Sequence, residues 1–163
     1  IGIIGLGNAG SAVASALAKK TRVIGFDVNP DCKNAAEANG ILWANDYQEI
    51  AEHADKIILS LPKPGISVAI TKTLAELSKK PKLIIETSTV TPQTAKTCFE
   101  ICENSGIAYV DAAIAGGVAS MASGSITFFL GGTTEHKDQA RPILNLIASN
   151  IYDLGLILSL IHI

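Results

Sequence analysis

Residues 1–10 read IGIIGLGNAG, and residues 22–27 read RVIGFD. The three glycines at G-x-G-x-x-G spacing are Gly5, Gly7 and Gly10. They lie between an apolar run and a stretch of helical character, and Asp27 ends the second apolar run about 20 residues further on. This arrangement predicts a strand, a phosphate-binding loop, a helix, a second strand and an acid that binds a ribose.

Each part of this pattern has a mechanical role in binding a dinucleotide. Gly5 permits a tight turn off the strand, Gly7 has no side chain to keep a pyrophosphate from the backbone, and Gly10 lets the helix pack close to the strand. The helix directs free N–H groups and its positive dipole end at the phosphates. The carboxylate of Asp27 can accept two hydrogen bonds from a ribose diol and would repel a 2′-phosphate. NAD is therefore expected before NADP, while S-adenosylmethionine, which uses a similar loop and acid, stays an alternative.

The composition indicates one apolar-rich globular domain. The chain has 163 residues, of which 48% are hydrophobic and 17% charged, and its formal net charge is −2. It has no basic block, which a nucleic-acid surface would need, and no uninterrupted apolar run approaching the ~18 residues of a membrane span. No secretory signal is recognised at the N-terminus. We expect neither a nucleic-acid nor a membrane partner, and a cytoplasmic location.

Three cysteines, Cys32, Cys98 and Cys102, make an odd number. Cys98 and Cys102 lie four residues apart on a predicted helix, but no histidine stands at a matching metal-ligand spacing. We therefore expect no metal site and interpret the cysteines as buried, reduced thiols, consistent with a reducing cytoplasm.

Strand-like and helix-like segments alternate along the chain. Continuous β-branched apolar runs predict strands at 1–4, 22–26, 56–61, 83–86, 107–111 and 125–130. Periodic stretches predict helices at 8–18, 34–39, 46–53, 65–78, 91–104 and 134–148. Thr91 is the expected N-cap of the fifth helix, and Pro142 is expected to bend or split the last one. Repeated strand–helix–strand units predict an α/β fold: a Rossmann-type, doubly wound, mainly parallel sheet with helices on both faces.

Three other strand ends carry unusual residues, and a doubly wound sheet binds its ligand beyond such ends. Pro62 forms a rigid turn that can lie against the adenosine or ribose, or can serve only as a stiff turn. Residues 86–92 read ETSTVTP, and their hydroxyl side chains are grouped where a nicotinamide ribose would lie. Gly116 and Gly117 expose successive N–H groups that suit a carboxylate, or form a plain glycine turn.

These stretches, taken in order, resemble the β-hydroxyacid dehydrogenases, a family that includes 3-hydroxyisobutyrate dehydrogenase, tartronate semialdehyde reductase and, more distantly, 6-phosphogluconate dehydrogenase. The matching motifs are GLGNAG (5–10), LSLPKPG (59–65), ETSTVTP (86–92) and VDAAIAGGVASMASGSITFFLGG (110–132). The resemblance covers residues 1 to about 155. It implies an NAD(P)-binding domain of an oxidoreductase that acts on the hydroxyl of a small β-hydroxyacid.

The resemblance also implies site residues. The cofactor contacts it implies are Gly5, Leu6, Gly7, Asn8, Ala9 and Gly10 on the pyrophosphate, Asp27 on the adenine ribose, Leu61 and Pro62 on the cofactor, and Thr89 near the nicotinamide ribose. The substrate loop it implies is Ala115, Gly116 and Gly117. Ala9 stands where the family usually has Met, and Ala115 where it has Ser, so one hydroxyl donor to the substrate is missing. Ser120 and Met121 replace a usual Gly-Ala pair in the same loop.

The family's general acid/base is a lysine in a K-x-x-N-N pattern, and no lysine of this chain is followed by that pattern. We therefore expect a fragment with no catalytic residue of its own, which binds NAD weakly at most and turns nothing over. In this interpretation 1–155 is the Rossmann domain, 156–163 a non-native tail (with LSLIHI at 158–163), and the C-terminal catalytic and dimerisation domain is missing. Lys63 is expected in a solvated turn and His136 on a surface helix.

The parent protein is then expected to be an enzyme and a homo-oligomer that contacts itself through the missing domain. Two alternatives remain at this point: an imine reductase-like relative that shares this half, and a non-catalytic dinucleotide-binding module in which Ala115 marks decay of the substrate loop.

Overall fold

Eight strands form one sheet in the computed structural model, which describes residues 1–156. The strands are β1 (Gly2–Ile4), β2 (Ile24–Phe26), β3 (Leu42–Trp43), β4 (Lys56–Leu59), β5 (Leu83–Glu86), β6 (Ala108–Ala115), β7 (Ile126–Gly131) and β8 (Ala148–Asp153). The helices are α1 (Asn8–Ala18), α2 (Cys32–Ala38), α3 (Tyr47–His53), α4 (Pro64–Glu76), α5 (Pro92–Asn104), α6 (Val118–Ser123) and α7 (Thr134–Leu144). The tail expected at 156–163 falls almost entirely outside the described residues.

The sheet has the order β3-β2-β1-β4-β5-β6-β7-β8. Strands β1 to β6 are parallel, whereas β7 runs antiparallel to β6 and β8 runs parallel to β7. The chain winds outward from β1 to β3 and then returns to place β4 on the other side of β1. This reversal creates a crevice at the carboxyl ends of β1 and β4, where doubly wound folds bind their ligands. The predicted mainly parallel α/β fold is confirmed.

The central strands are mostly apolar because both faces of the sheet are covered. Ile85 and Val110 belong to a core cluster on the side of α1 and α7, while Ile84 and Tyr109 belong to a second cluster on the side of α4 and α5. Successive side chains of one strand therefore enter opposite cores, which explains the lack of polar–apolar alternation in the sequence.

The structure corrects the predicted elements at five main places, one of which is the short helix α6, which was not predicted. Strand β3 was not predicted, because it has only two residues and neither is fully buried. Strand β8 was not predicted either: it is an edge strand with mostly exposed side chains, and its first residue, Ala148, was assigned to the preceding helix. That helix ends at Leu144 without splitting, and Pro142 lies in its last turn. Strand β6 continues to Ala115 instead of ending at Asp111, because its last residues pair with β7.

The three cysteines are free thiols, as predicted, although Cys32 is only half-buried while Cys98 and Cys102 are fully buried. Burial raises the pKa of the Cys102 thiol far above its ordinary value, so this side chain behaves as a small apolar group. Through residue 156, the chain forms no helix with the length and apolar character needed to cross a bilayer.

Candidate functional site

The glycine loop between β1 and α1 has the geometry that its spacing predicts. Gly5 has a φ of +93°, and a Cβ there would lie 2.1 Å from the carbonyl oxygen of Ser60. A Cβ on Gly10 would lie 1.9 Å from the carbonyl oxygen of Gly5. A Cβ on Gly7 would meet no heavy atom of residues 1–156 within 4 Å. Packing therefore requires the outer two glycines, while the middle one leaves the backbone open toward the cleft.

Helix α1 presents unpaired N–H groups to the same space. Its N-cap is Gly7, which has no side chain to accept a hydrogen bond from the first turn, and that turn carries no acidic residue. The four N–H groups at a helix start have no partner within the helix, and the helix dipole adds a partial positive charge. The start of α1 can therefore bind an anion through its backbone.

Asp27 follows β2 and is held by two backbone N–H groups. Leu6 donates to its Oδ2 at 2.6 Å, and Asn29 donates to its Oδ1 at 2.8 Å. Each carboxylate oxygen can accept a further hydrogen bond, since it has two lone pairs. The carboxylate is half-buried, lines the cleft and is fixed in orientation before any ligand arrives.

A cleft of about 610 Å³ lies at the point where the strand order reverses. It contains eight of the predicted cofactor residues: Gly5, Gly7, Asn8, Ala9, Gly10, Asp27, Leu61 and Pro62. Leu6 does not line it, because its side chain is buried in the core while its N–H holds Asp27. Thr89 is exposed and also lies outside the lining.

Sequence reasoning missed one wall of the cleft. The lining residues that were not predicted include Tyr47 from α3 and Ile66, Ala69, Ile70 and Thr73 from α4. Their apolar spacing indicated only a buried helix face, and nothing in the sequence showed that the first turns of α4 face the cleft. Phe26 and Tyr47 pack edge to face with ring centroids 4.8 Å apart, which makes this end of the cleft aromatic.

The hydroxyls after β5 have different roles. Thr87 Oγ1 donates to the carbonyl oxygen of Leu59 at 2.7 Å, and Ser88 Oγ accepts the N–H of Leu61 at 2.7 Å. Thr91 caps α5 by accepting the N–H of Thr94, so the predicted N-cap is confirmed. Thr87 and Ser88 thus fasten the β5–α5 loop to the last residue of β4 and to the segment that follows it.

The predicted substrate loop lies apart from the cleft. Ala115, Gly116 and Gly117 are exposed, and none of them lines the cleft. Ala115 is the last residue of β6 rather than a loop residue, and Gly117 is the N-cap of α6. Gly116 has a φ of +129°, a conformation that favours glycine. Strand β6 continues for four residues after Asp111, the last residue that pairs with β5. The turn after β6 therefore lies beyond the carboxyl ends of the neighbouring parallel strands.

Two buried acids lie at that edge and were not predicted. Glu86 and Asp111 are register partners on β5 and β6 and are 0% and 4% exposed. Burial raises the pKa of Glu86, and burial together with the negative charge of Glu86 raises the pKa of Asp111 to about 7. The sequence shows both acids at strand ends, but only the pairing of the strands shows that they are adjacent.

Lys63 and His136 lie in different environments. Lys63 is an exposed N-cap of α4, in agreement with the predicted solvated turn. His136 is not on an open surface: its side chain is only 14% exposed. Its Nδ1 accepts the N–H of Tyr109 at 3.3 Å, and its Nε2 lies 3.6 Å from a carboxylate oxygen of Glu103. The imidazole therefore lies beside the first residues of β6, which precede the part of β6 that pairs with β7.

Known sequences match this chain over nearly all of its length. The profile of the NAD-binding domain of 6-phosphogluconate dehydrogenase matches residues 1–155. Mitochondrial 3-hydroxyisobutyrate dehydrogenase of Mus musculus is 36% identical over 160 residues, which cover 95% of this chain and 48% of that enzyme. NAD-dependent L-serine dehydrogenase of Pseudomonas aeruginosa is 30% identical over 95% of this chain and 53% of that enzyme. The chain spans about half the length of the curated relatives it matches.

Solved structures have the same fold. Mycobacterium tuberculosis 3-hydroxyisobutyrate dehydrogenase with L-serine superposes with a TM-score of 0.88 at 29% identity, covering 95% of this chain and 54% of that chain. An imine reductase from Pseudomonas sp. superposes with a TM-score of 0.84 at 21% identity, covering 97% of this chain and 56% of that chain. The second likeness shows the fold alone.

Proposed function

The chain belongs to the family of the NAD-binding domain of 6-phosphogluconate dehydrogenase, and from this membership we propose how its cleft holds the cofactor and what the full-length protein does. The domain binds NAD in the cleft between the glycine loop and α4. The N–H groups at the start of α1 hold the pyrophosphate, and the open backbone at Gly7 lets it approach. Leu61 and Pro62 contact the cofactor on the opposite side, with Thr89 beyond them near the nicotinamide ribose.

Asp27 selects NAD over NADP. Its oxygens are already oriented by Leu6 and Asn29, and each has a lone pair left for a hydroxyl of the adenine ribose. A 2′-phosphate there would face a carboxylate, and the described lining of the cleft contains no lysine or arginine to balance it. A carboxylate and a phosphate side by side repel each other when no cation compensates them, so the site favours the cofactor that lacks the 2′-phosphate.

The full-length protein is proposed to be an NAD-dependent dehydrogenase of small β-hydroxyacids. When bound, NAD supplies the hydride acceptor for the alcohol carbon. 3-Hydroxyisobutyrate and L-serine, which appear in the names of two relatives, both carry a hydroxyl on the carbon that lies two bonds from the carboxyl carbon. The N–H groups of Gly116 and Gly117 bind the carboxylate at the turn that follows Ala115.

Oxidation of the hydroxyl also requires a group that accepts its proton. The described cleft lining includes no lysine, histidine or cysteine, and Asp27 is engaged with two backbone N–H groups. We therefore place the proton-transfer group in the part of the relatives' length that this chain does not span. On the same footing we propose a homo-oligomer assembled through that part and, from the three free thiols, a cytoplasmic location.

One observation carries this proposal: the Asp27 carboxylate and the start of α1 face the same cleft from opposite ends of the first crossover. Titration of the full-length protein with NADH, NADPH and S-adenosylmethionine tests it, and we expect NADH to bind most tightly. Turnover with NAD is then measured for 3-hydroxyisobutyrate and L-serine, with the isolated chain expected to be inactive. Preference for S-adenosylmethionine, or turnover by the isolated chain, would contradict the proposal.

A further inference from the structure

Glu86 is a buried acid that the proposed chemistry does not use. Side chains alternate along β5, so Glu86 shares the face of Ile84 and packs on the side of α4 and α5. Its register partner Asp111 lies on the same face as Tyr109. Two acids on neighbouring strands therefore point into one apolar core.

The contacts of Glu86 lead to the cleft in two steps. Its Oε1 accepts the N–H of Ser88 at 2.9 Å. The hydroxyl oxygen of Ser88 in turn accepts the N–H of Leu61 at 2.7 Å. Leu61 and Pro62 both line the cleft. The position of this wall of the cleft thus depends on a turn that the Glu86 side chain closes.

The surroundings of Glu86 favour its uncharged form. The titratable groups facing it are Cys98 on α5 and Tyr109 and Asp111 on β6, and α4 contributes only the hydroxyls of Ser67 and Thr71. No basic side chain within residues 1–156 forms an ion pair with it.

The second carboxyl oxygen is not held by a hydrogen bond. Oε2 is fully buried and has no hydrogen-bond partner among the described residues. Ser67 lowers the pKa of Glu86 against the larger rise caused by burial, yet its own hydroxyl also has no hydrogen-bond partner among the described residues. A buried carboxylate without a cation or a full set of donors is costly, whereas a neutral acid is tolerated.

We propose that Glu86 is a positioning residue for the cofactor: its Oε1 fixes Ser88, and through Ser88 it holds the Leu61–Pro62 wall in the form that binds NAD. This inference rests on the proposed function of the cleft. It assigns Glu86 no contact with the cofactor and no proton transfer.

The test compares four variants of the full-length protein. Glu86→Gln keeps an uncharged acceptor for the Ser88 N–H, whereas Glu86→Leu removes it, with Glu86→Ala in reserve should leucine not be accommodated. Ser88→Ala breaks only the second step, and Glu100→Gln changes an exposed acid on α5 as a control. Two readouts are needed: amide hydrogen exchange at Ser88 and Leu61, resolved by NMR, and the dissociation constant for NADH.

We expect Glu86→Gln and Glu100→Gln to match the parent protein in both readouts. Glu86→Leu should speed exchange at Ser88 and Leu61, and Ser88→Ala should speed it at Leu61 alone. Both should weaken NADH binding roughly tenfold, the effect of losing one well-placed hydrogen bond.

Two results would overturn the inference. Glu86→Gln behaving like Glu86→Leu would show that a charged carboxylate is required, and unchanged Leu61 exchange in Glu86→Leu would show that no coupling exists. Should the parent protein bind no NADH, the proposed function fails instead, while the exchange data still decide whether Glu86 positions Leu61.

Discussion

The N–H of Leu6 and the Oδ2 of Asp27 form a hydrogen bond of 2.6 Å that joins the glycine loop to the end of β2. These residues stand at the two ends of the first crossover, separated along the chain by all of α1. The bond makes the acid part of the loop's own structure. A change at Asp27 therefore affects both the recognition of the ribose and the shape of the pyrophosphate loop.

Asp27→Ala should weaken NAD binding and narrow the preference for NAD over NADP. The ribose loses a charged acceptor, which accounts for roughly tenfold in affinity, while a 2′-phosphate loses a like-charged neighbour. Asp27→Asn, which keeps one acceptor oxygen without the charge, is the matched control and should give an intermediate ratio. Dissociation constants for NADH and NADPH measure the effect. If the ratio of the NADH and NADPH dissociation constants is unchanged in both variants, Asp27 does not select the cofactor.

Gly10→Ala and Gly7→Ala should separate packing from binding. The alanine Cβ at position 10 would lie 1.9 Å from the Gly5 oxygen, so the loop must shift and the free energy of unfolding should fall by about 2 kcal/mol or more. At position 7 the Cβ meets open space, and stability should change by less than about 1 kcal/mol.

NADH binding separates the two glycine variants further. Gly7→Ala should lower affinity at least roughly tenfold although the fold is intact, because the methyl group occupies the path of the pyrophosphate. Urea unfolding and NADH titration provide the two measurements. A Gly7→Ala protein with parental affinity would mean that the phosphates do not approach at this backbone position.

Ala115→Ser should improve binding of the hydroxyacid by the full-length protein. The turn after β6 offers backbone N–H groups but no side-chain donor, and a hydroxyl at position 115 would add one for the substrate carboxylate. We expect KM to fall by roughly tenfold with kcat little changed, since the added bond is present in both ground and transition states. Ala119→Ser on the exposed face of α6 is the control. Equal KM values for all three proteins would contradict a substrate role for this turn.

Asp111→Asn should flatten the dependence of stability on pH. Burial raises the pKa of Asp111 from 3.8 to about 7, so the folded protein holds a proton that the unfolded chain releases. Asp111 makes its full contribution to the free energy of unfolding below about pH 4. That contribution, at most roughly 4 kcal/mol, is lost as the pH rises from about 4 through about 7. Glu86 contributes in the same direction.

Urea unfolding between pH 4.5 and pH 8 checks this expectation. The parent protein should lose stability as pH rises across that interval, and Asp111→Asn should lose less. Asp55 and Asp153, whose pKa values are lowered by Lys82 and Lys137, act in the opposite direction but only in more acidic solution. Parallel pH profiles for parent and variant would show that Asp111 is not the group responsible.

The local parts of the structure could be predicted because local chemistry determines them. The glycine loop needs residues without a Cβ. The side chains of the N-caps Asp46 and Thr91 accept hydrogen bonds from N–H groups in the first turn of the helices that follow them. The apolar runs of β1, β2, β4, β5 and β6 reflect burial on both faces, which is a property of each strand's own sequence. The edge strand β8 escaped prediction because its side chains are mostly exposed, so its sequence lacks that signal.

The sequence by itself determined the doubly wound α/β fold, the loop and acid at the first crossover, and the family. Tertiary structure alone decided which residues meet across the sheet: Tyr47 and the first turns of α4 as a wall of the cleft, and Glu86 beside Asp111. The tertiary structure also shows His136 at the edge of β6, whereas the sequence predicted it on an open surface. The physical reason is that helix and turn formation depend on neighbours in the chain, whereas burial, charge coupling and cleft shape depend on strand order and register, which bring together residues far apart in sequence.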